Sequence, residues 1–307
     1  GDRLRFVPCA DPGPAVRAGT TPRSVTHARS LTVIAANALL TVQDRGRGGK
    51  LHAGLPPSGP LSWEIFAAAN AAVGNEEGAA ALEIGLGSLE IEAQGEALVS
   101  IDGEPALRLT EGERLMIGAS RRAVRYLAVA GGIDVPVVLG ARATLAAARI
   151  GGLEGRALRR GDRLPLGEVM GAPRAHALRE DPIDAWLDID AGPQRACFPE
   201  GALEALLAGP WQVSRLGDRV GVRLEGARIP RDRADLALPL PMRRGAVQVT
   251  TEGTPIVLGP DHPTTGGYPV LAVLRRDAQE TLARLRPGAA LRFRLGQAAN
   301  PSSRSER

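Results

Sequence analysis

From Leu31 onward the chain is cut into short apolar runs separated by Gly, Pro and Asp, and no other feature limits its possible folds as strongly. Leu31 to Ala35, Ala97 to Ile101, Leu115 to Ile117, Val124 to Ala130, Ala246 to Val249 and Pro255 to Leu258 are the clearest runs. Each is too short for a stable helix and long enough for a strand, and the breaks between them are turn residues. The chain is therefore read as mainly β. Helical patterns are few. Ser62 to Val73 fits one helix, with Ser62 as N-cap, Trp63, Phe66 and Asn70 at helical spacing, and Gly74-Asn75 as the stop. Asp277 to Leu285 fits another, ended by Pro287-Gly288.

A chain of 307 residues can hold roughly two domains, each with its own core. The stretch from Gly167 to Asp184 mixes Pro, Gly and charge between two β-rich regions and is the best internal boundary. The expected division is residues 1–30 as a terminal strand plus linker, 31–168 as the first unit, 169–184 as a connector, 185–296 as the second unit, and 297–307 as a disordered polar tail. A Gly turn feeding a strand recurs at Gly1-Asp2-Arg3-Leu4, Gly161-Asp162-Arg163-Leu164 and Pro287-Gly288 to Phe293, each suited to closing one barrel-like unit.

Several function classes are disfavoured. No run approaches the about 20 apolar residues that span a bilayer, and the first residues are charged where a secretory signal is apolar, so a cytoplasmic protein without membrane contact is expected. The net charge of +4 comes from scattered arginines, Lys50 being the single lysine, and aromatics are only 3%, too few for a nucleic-acid stacking surface. Cys9 and Cys197 match no C-x-x-C spacing, and His27, His52, His176 and His262 lie at no metal-ligand spacing, so no metal site is expected.

Two segments are dense in chemistry. Val42-Gln43-Asp44-Arg45-Gly46-Arg47-Gly48-Gly49, followed by Gly54 to Pro60, combines glycines that let backbone approach a ligand with guanidinium forks that bind anions. The same residues would also serve as an ordinary hairpin turn. Lys50 does not complete a P-loop, and no G-x-G-x-x-G opens a helix. The second segment, Gly259 to Pro269, places Asp261, Thr264, Thr265, the pair Gly266-Gly267 and Tyr268 on one non-helical stretch after an apolar strand. An elaborate turn capped by its own Asp and Thr is the alternative there. A Ser58, His52, Asp44 triad can be written down, but triads are defined by geometry and not by closeness in sequence.

Taken together these stretches resemble the biotin-dependent carboxyltransferase family, also called the allophanate hydrolase subunit 2 family, which includes the C component of 5-oxoprolinase. The resemblance rests on Gln43 to Arg47, Ser58-Gly59, Ala69-Asn70, Val73 to Asn75, Leu82-Glu83, Tyr126 to Asp134, Gly155 to Leu158 and Gly161-Asp162. It continues through Gly192-Pro193-Gln194, Asp218 to Gly221, Gly245 to Val249 and Thr264 to Pro269. It implies two cyclophilin-like β-barrel units with a few short helices. It also implies a hetero-oligomer with the B-like and A components of 5-oxoprolinase, which open the lactam of 5-oxo-L-proline to L-glutamate using ATP, with Mg2+ at the level of the complex. Gly1 to Pro8 resembles the end of the B component, so a B–C fusion is expected upstream.

Under this resemblance Asp261 acts as base or metal contact, and Arg47 and Arg142 hold anionic groups. Asn70, Asn75 and Gln248 orient the amide, while Thr264, Thr265 and the Gly266-Gly267 amides cradle oxygens. Gln43, Asp44, Ser58, Glu83 and Tyr268 complete the implied substrate site. No cofactor is expected to be covalently attached to this chain. Departures fall within the motifs. Gly59-Pro60-Leu61-Ser62 stands where relatives carry Gly-Ala-Met-Asp, Gly140-Ala141-Arg142-Ala143-Thr144 where they carry Gly-Ser-Arg-Ser-Thr, and Pro263 where Gln is common. Two other roles follow from the family: carboxyl transfer to urea or allophanate with a separate biotin carrier, since Lys50 lacks an Ala-Met-Lys-Met setting, or a non-catalytic partner of a kinase-inhibitor protein.

Overall fold

A computed structural model describes residues 29–181, 185–231, 236 and 238–296. The strand-like start, most of the linker and the polar tail lie outside the described residues. Among those described, eighteen strands accompany three α-helices and three short 3-10 turns.

In the first unit two antiparallel sheets enclose one core. The four-stranded sheet runs Arg114–Ile117, Leu89–Gln94, Ser30–Ala36, Arg163–Pro165, and the five-stranded sheet runs Leu40–Gln43, Ala81–Ile84, Arg125–Val129, Ala97–Ile101, Leu107–Leu109. Leu31, Val33, Leu89 and Ile91 from the first sheet meet Leu40, Leu82, Leu127 and Val129 from the second, all buried. After Arg125, which pairs with Asp102, the stretch Tyr126 to Ala130 is continuously apolar because its strand is covered on both faces. Leu127 and Val129 point into that core, while Tyr126 and Ala128 point outward onto the helix α1, Trp63–Ala72. Phe66 of α1 meets Tyr126 edge-on, ring centres 5.6 Å apart.

The second unit is a closed barrel. Its strands follow the order Ala185–Ala191, Val270–Leu274, Ala246–Val249, Pro255–Leu258, Gly221–Glu225, Trp211–Val213, Ala290–Leu295, and the last pairs in parallel with the first. Leu187, Ile189, Val247, Val249, Val257, Leu271 and Phe293 fill it. Two helices flank the barrel: α2, Ala202–Ala208, against the strand Ala290–Leu295, and α3, Arg276–Arg284, against Ala185–Ala191. The α2 helix leaves no clear signal in the sequence because seven residues between Gly201 and Gly209-Pro210 give too little periodicity. A two-stranded ribbon, Leu240–Pro241 with Thr265–Gly266, lies over the outside of the barrel wall.

The Gly turns at Gly161 and Gly288 lead into Arg163–Pro165 and Ala290–Leu295, each of which pairs with the opening strand of its own unit. Between the units, residues 167–181 run as a strap across α1. Gly74 has φ +82°, and a Cβ there would sit 2.4 Å from the Gly171 carbonyl oxygen, so only glycine permits this approach.

The units are joined by polar contacts around the start of α1. Ser62 caps the helix, accepting from the Ile65 N–H, as its sequence position predicts. A second cap comes from the other unit: the buried Glu280 carboxylate of α3 accepts from Ser62 Oγ at 2.7 Å, the Trp63 N–H at 3.0 Å and the Glu64 N–H at 3.2 Å. A carboxylate at a helix N-terminus satisfies orphan donors and complements the dipole. Nearby, Arg284 donates to Glu64 at 2.6 Å, and Arg244 donates to the carbonyls of Pro60 and Leu61. Substituting Glu280→Ala removes the acceptor of three donors and is expected to lower the unfolding free energy by about 2–4 kcal/mol. Urea titration followed by tryptophan fluorescence measures this, and a loss below about 0.5 kcal/mol would deny the cap its role.

Candidate functional site

The loop between strands Trp211–Val213 and Gly221–Glu225 sends adjacent side chains to two different places, Arg219 into a buried junction and Asp218 into an open cleft. The backbone is pinned for this. The Val220 and Gly221 N–H groups donate to Asp218 Oδ1 at 2.8 and 3.1 Å, and the Asp261 N–H donates to the Arg219 carbonyl at 3.0 Å. Gly259 is required beside it, because a Cβ would fall 2.3 Å from the same carbonyl oxygen.

In the junction Arg219 holds carboxylates from both units. Its Nε and Nη2 donate to Asp261 at 2.8 and 3.2 Å, Nη1 donates to Glu83, and Nη2 also reaches the Gly59 carbonyl at 2.7 Å. Glu83 Oε2 accepts from the Tyr126 hydroxyl at 2.6 Å and the Leu61 N–H at 2.8 Å. The Tyr126 oxygen in turn accepts from the Ser62 N–H at 3.1 Å. Burial alone would lower the Arg219 pKa, but the Glu83 and Asp261 charges outweigh it and hold the guanidinium above its ordinary value. Burial raises the Tyr126 phenol pKa well above its usual value, and the Glu83 charge and hydrogen bond add to the rise.

The segment Gln43 to Ser58 reaches the junction's edge through the Ser58 N–H, which donates to the Pro260 carbonyl at 3.1 Å. Its polar groups serve the loop itself. Asp44 accepts from the N–H groups of Gly46, Arg142 and Ala143, and Gln43 donates to Thr41 Oγ1 and the Thr144 carbonyl. Arg47 is 1% exposed and donates to the carbonyls of Val138 and Ala143, with its pKa lowered by burial despite Asp44 and Asp261 nearby. Gln43 Oε1, Arg47 Nη1 and Ser58 Oγ are buried and make no hydrogen bond within the described chain.

Other expected positions are occupied differently. Arg142 pairs with Asp134 at 2.6 Å and donates to the Val135 carbonyl. Asn70 and Asn75 are buried and bonded to each other at 2.9 Å. Asn70 also serves the Phe66 and Ala79 carbonyls, and Asn75 serves the Val129 carbonyl and the Gly131 N–H. They tie the end of α1 to the sheet and have no hydrogen-bonding atom left to orient an amide. Both Asp261 oxygens face Arg219, which makes Asp261 a clamp on that guanidinium in place of a free base. His52 lies exposed on the 3-10 turn Leu51–Ala53 while Ser58 and Asp44 are buried.

The cleft, about 430 Å³, lies between the ribbon and the outer wall of the second barrel. Strand alternation builds it. Val222, Val247, Val249 and Val257 face the core, so Arg223, Gln248, Ile256 and Leu258 face outward beneath the ribbon. Gln248 is held by its Nε2, which donates to the Tyr268 carbonyl at 2.9 Å. Gly266 lets the ribbon close over it, since a Cβ there would lie 2.8 Å from that Nε2, whereas Gly267 has open space. Of the residues expected from the second segment, Gly266, Gly267 and Tyr268 line the cleft, while Thr264 and Thr265 bond the ribbon to Met242 and Pro241. Arg219, Tyr126, Asp218 and Arg223 had no assigned role in sequence, although the stretches Asp218 to Gly221 and Tyr126 to Asp134 carry part of the family resemblance. No group of metal-binding side chains, and no helix long and apolar enough to cross a membrane, occurs among the described residues.

Comparison with known proteins adds to this geometry. Residues 53–295 match the family model described as carboxyltransferase domain, subdomain A and B. The chain is 35% identical to the C component of the 5-oxoprolinase of Escherichia coli strain K12 over 279 residues, covering 86% of this chain and 90% of that one. It is 30% identical to the urea amidolyase of Lachancea kluyveri, covering 85% of this chain but 16% of that one. Among solved structures, the K. lactis urea amidolyase superposes with a TM-score of 0.80 at 28% identity, over 86% of this chain and 18% of that chain.

The raised Tyr126 pKa carries a pH signature. The folded-state value lies above the unfolded value of about 10, so the contribution is fully present below that pH and is lost as pH rises through the window above it. Denaturation midpoints measured from about pH 8 to about pH 11 are expected to fall more steeply for the parent protein than for Tyr126→Phe. Parallel curves would remove Tyr126 as the source.

Proposed function

This chain belongs to the carboxyltransferase domain, subdomain A and B, family, and on that premise we propose that it is the C-type component of an ATP-dependent 5-oxoprolinase. The observation that carries the reading is end-to-end likeness: the similarity to the E. coli C component takes in 90% of that protein's length. In this reading the chain works with A-type and B-type partners to open the lactam of 5-oxo-L-proline to L-glutamate.

A lactam resists hydrolysis because amide resonance is large and five-membered ring strain small, so the substrate must be held while its carbonyl oxygen is activated. The cleft serves the holding. Gln248 orients the amide, Tyr268 contacts the substrate beside it, and the Arg219 clamp fixes the loop that carries Asp218. Arg223 is the cleft's one guanidinium and the Asp218 carboxylate faces the same space, a lining better matched to a single carboxylate than to a triphosphate. In this reading the nucleotide belongs to the assembled complex, and the residues of this cleft act on the amide. Asp261 acts in this reading as a positioning residue through Arg219.

The likeness to the urea amidolyase fold, with its TM-score of 0.80, favours a second reading, carboxyl transfer to urea from a separate biotin carrier. One experiment separates the two. The chain is reconstituted with A-type and B-type partners, and glutamate release is followed with ATP and 5-oxoproline, alongside urea-dependent consumption of carboxybiotin. Glutamate release is the expected result, and urea-dependent consumption alone would replace the first reading by the second. Within an active complex, Asp261→Asn preserves shape but weakens the clamp on Arg219 and is expected to lower turnover by about 10-fold or more. Unchanged turnover would remove Asp261 from the function.

A further inference from the structure

The cleft on the second barrel carries side chains with uncommitted polar atoms, Asp218 and Arg223 exposed at its rim and Tyr268 partly buried. Asp218 uses only Oδ1 in holding its own loop, and Gln248 uses only Nε2, so Asp218 Oδ2 and Gln248 Oε1 remain as acceptors among the described residues. The guanidinium of Arg223 and the hydroxyl of Tyr268 make no ion pair or hydrogen bond there and remain as donors. Asp218 and Arg223 border the same space without pairing. The remaining wall is apolar, formed by Ile256 and Leu258.

We infer that this cleft is a binding site for a small carboxylated amide or amino acid, with the carboxylate on Arg223 and Tyr268 and the N–H on Asp218 and Gln248. The chemistry follows from the donor set. A guanidinium and a phenol hydroxyl match a carboxylate, which accepts from both. Two acceptors match an N–H donor one or two bonds away, and Ile256 and Leu258 cover a short aliphatic ring or chain. A neutral urea would leave Arg223 without an anion. A ligand with no N–H would leave the Asp218 carboxylate facing its own carboxylate. The volume lies at the small end of the range of about 300–1,000 Å³ for ligand clefts, ample for one five-membered ring and its carboxylate.

The choice of 5-oxoproline as the probe rests on the 5-oxoprolinase reading, whereas the place and the donor set rest on the cleft. Arg223 therefore becomes the specificity-determining residue, reading the carboxylate, and Asp218 the residue that reads the ring N–H. Neither side chain reaches the buried junction, and Asp218→Asn keeps the Oδ1 acceptor that holds the Arg219 loop.

Ligand-observed NMR titration of the full chain tests this, using 5-oxoproline, glutamate and 2-pyrrolidinone, which keeps the lactam but lacks the carboxylate. Arg223→Gln is expected to weaken 5-oxoproline and glutamate by about 10- to 100-fold and to leave 2-pyrrolidinone unchanged. Asp218→Asn is expected to weaken all three. Equal affinity of 5-oxoproline for the parent chain and both variants, or no saturable binding to the parent chain, would overturn the assignment of the cleft. The two readings fail separately. A reconstituted complex that consumes 5-oxoproline with an unaltered KM in Arg223→Gln would overturn the cleft and keep the enzyme. Arg223-dependent binding without any turnover in the complex would keep the cleft and overturn the enzyme.

Discussion

One buried guanidinium, that of Arg219, holds the two halves of this molecule in their working arrangement. A cation so far from water needs its charge and all its donors matched, and Glu83 from the first unit, Asp261 from the second and the Gly59 carbonyl provide this. Removing either carboxylate leaves a buried charge half compensated, so neither unit can shift relative to the other without exposing the pair. Through the backbone of residues 218–221 the same clamp sets one wall of the cleft. Through Glu83, Leu61 and Tyr126 it sets the entry to α1. A structural ion pair and a candidate binding surface thus share one loop.

The start of α1 explains how a motif departure is tolerated. The family resemblance implies an Asp where this chain has Ser62, so the motif here lacks that carboxylate. The fold returns one from the far side, because Glu280 of α3 sits against Ser62 Oγ and two helix N–H groups. A helix N-terminus binds an anion from any direction that reaches its free N–H groups, so the accepting carboxylate can be supplied by the other unit.

Much of the fold was legible because strand periodicity and turn residues are local. The runs Ala97 to Ile101, Ala246 to Val249 and Pro255 to Leu258 are strands with those bounds, and Ser62 caps its helix. The site was less legible. Asn70, Asn75, Asp44 and Arg142 carry the right functional groups, yet all are engaged within the fold, Arg142 by Asp134, the two asparagines by each other and by backbone, and Asp44 by the Ala143 N–H, 99 residues away. A sequence displays donors and acceptors but not what engages them. Arg219 and Arg223 look alike in the sequence, and strand alternation with loop geometry puts one under both units and the other beside open space.

The apolar runs and turns therefore determined by themselves that this chain is a mainly β protein, and the ordered motifs determined its family. Only the tertiary structure decided which polar residues are structural and which line a cleft. Hydrophobic periodicity is written within a few residues, whereas the state of a polar group depends on whether a partner separated by a hundred residues of chain comes within about 3 Å of it. Glu83 and Arg219, 136 positions apart, are the pair on which that decision turns.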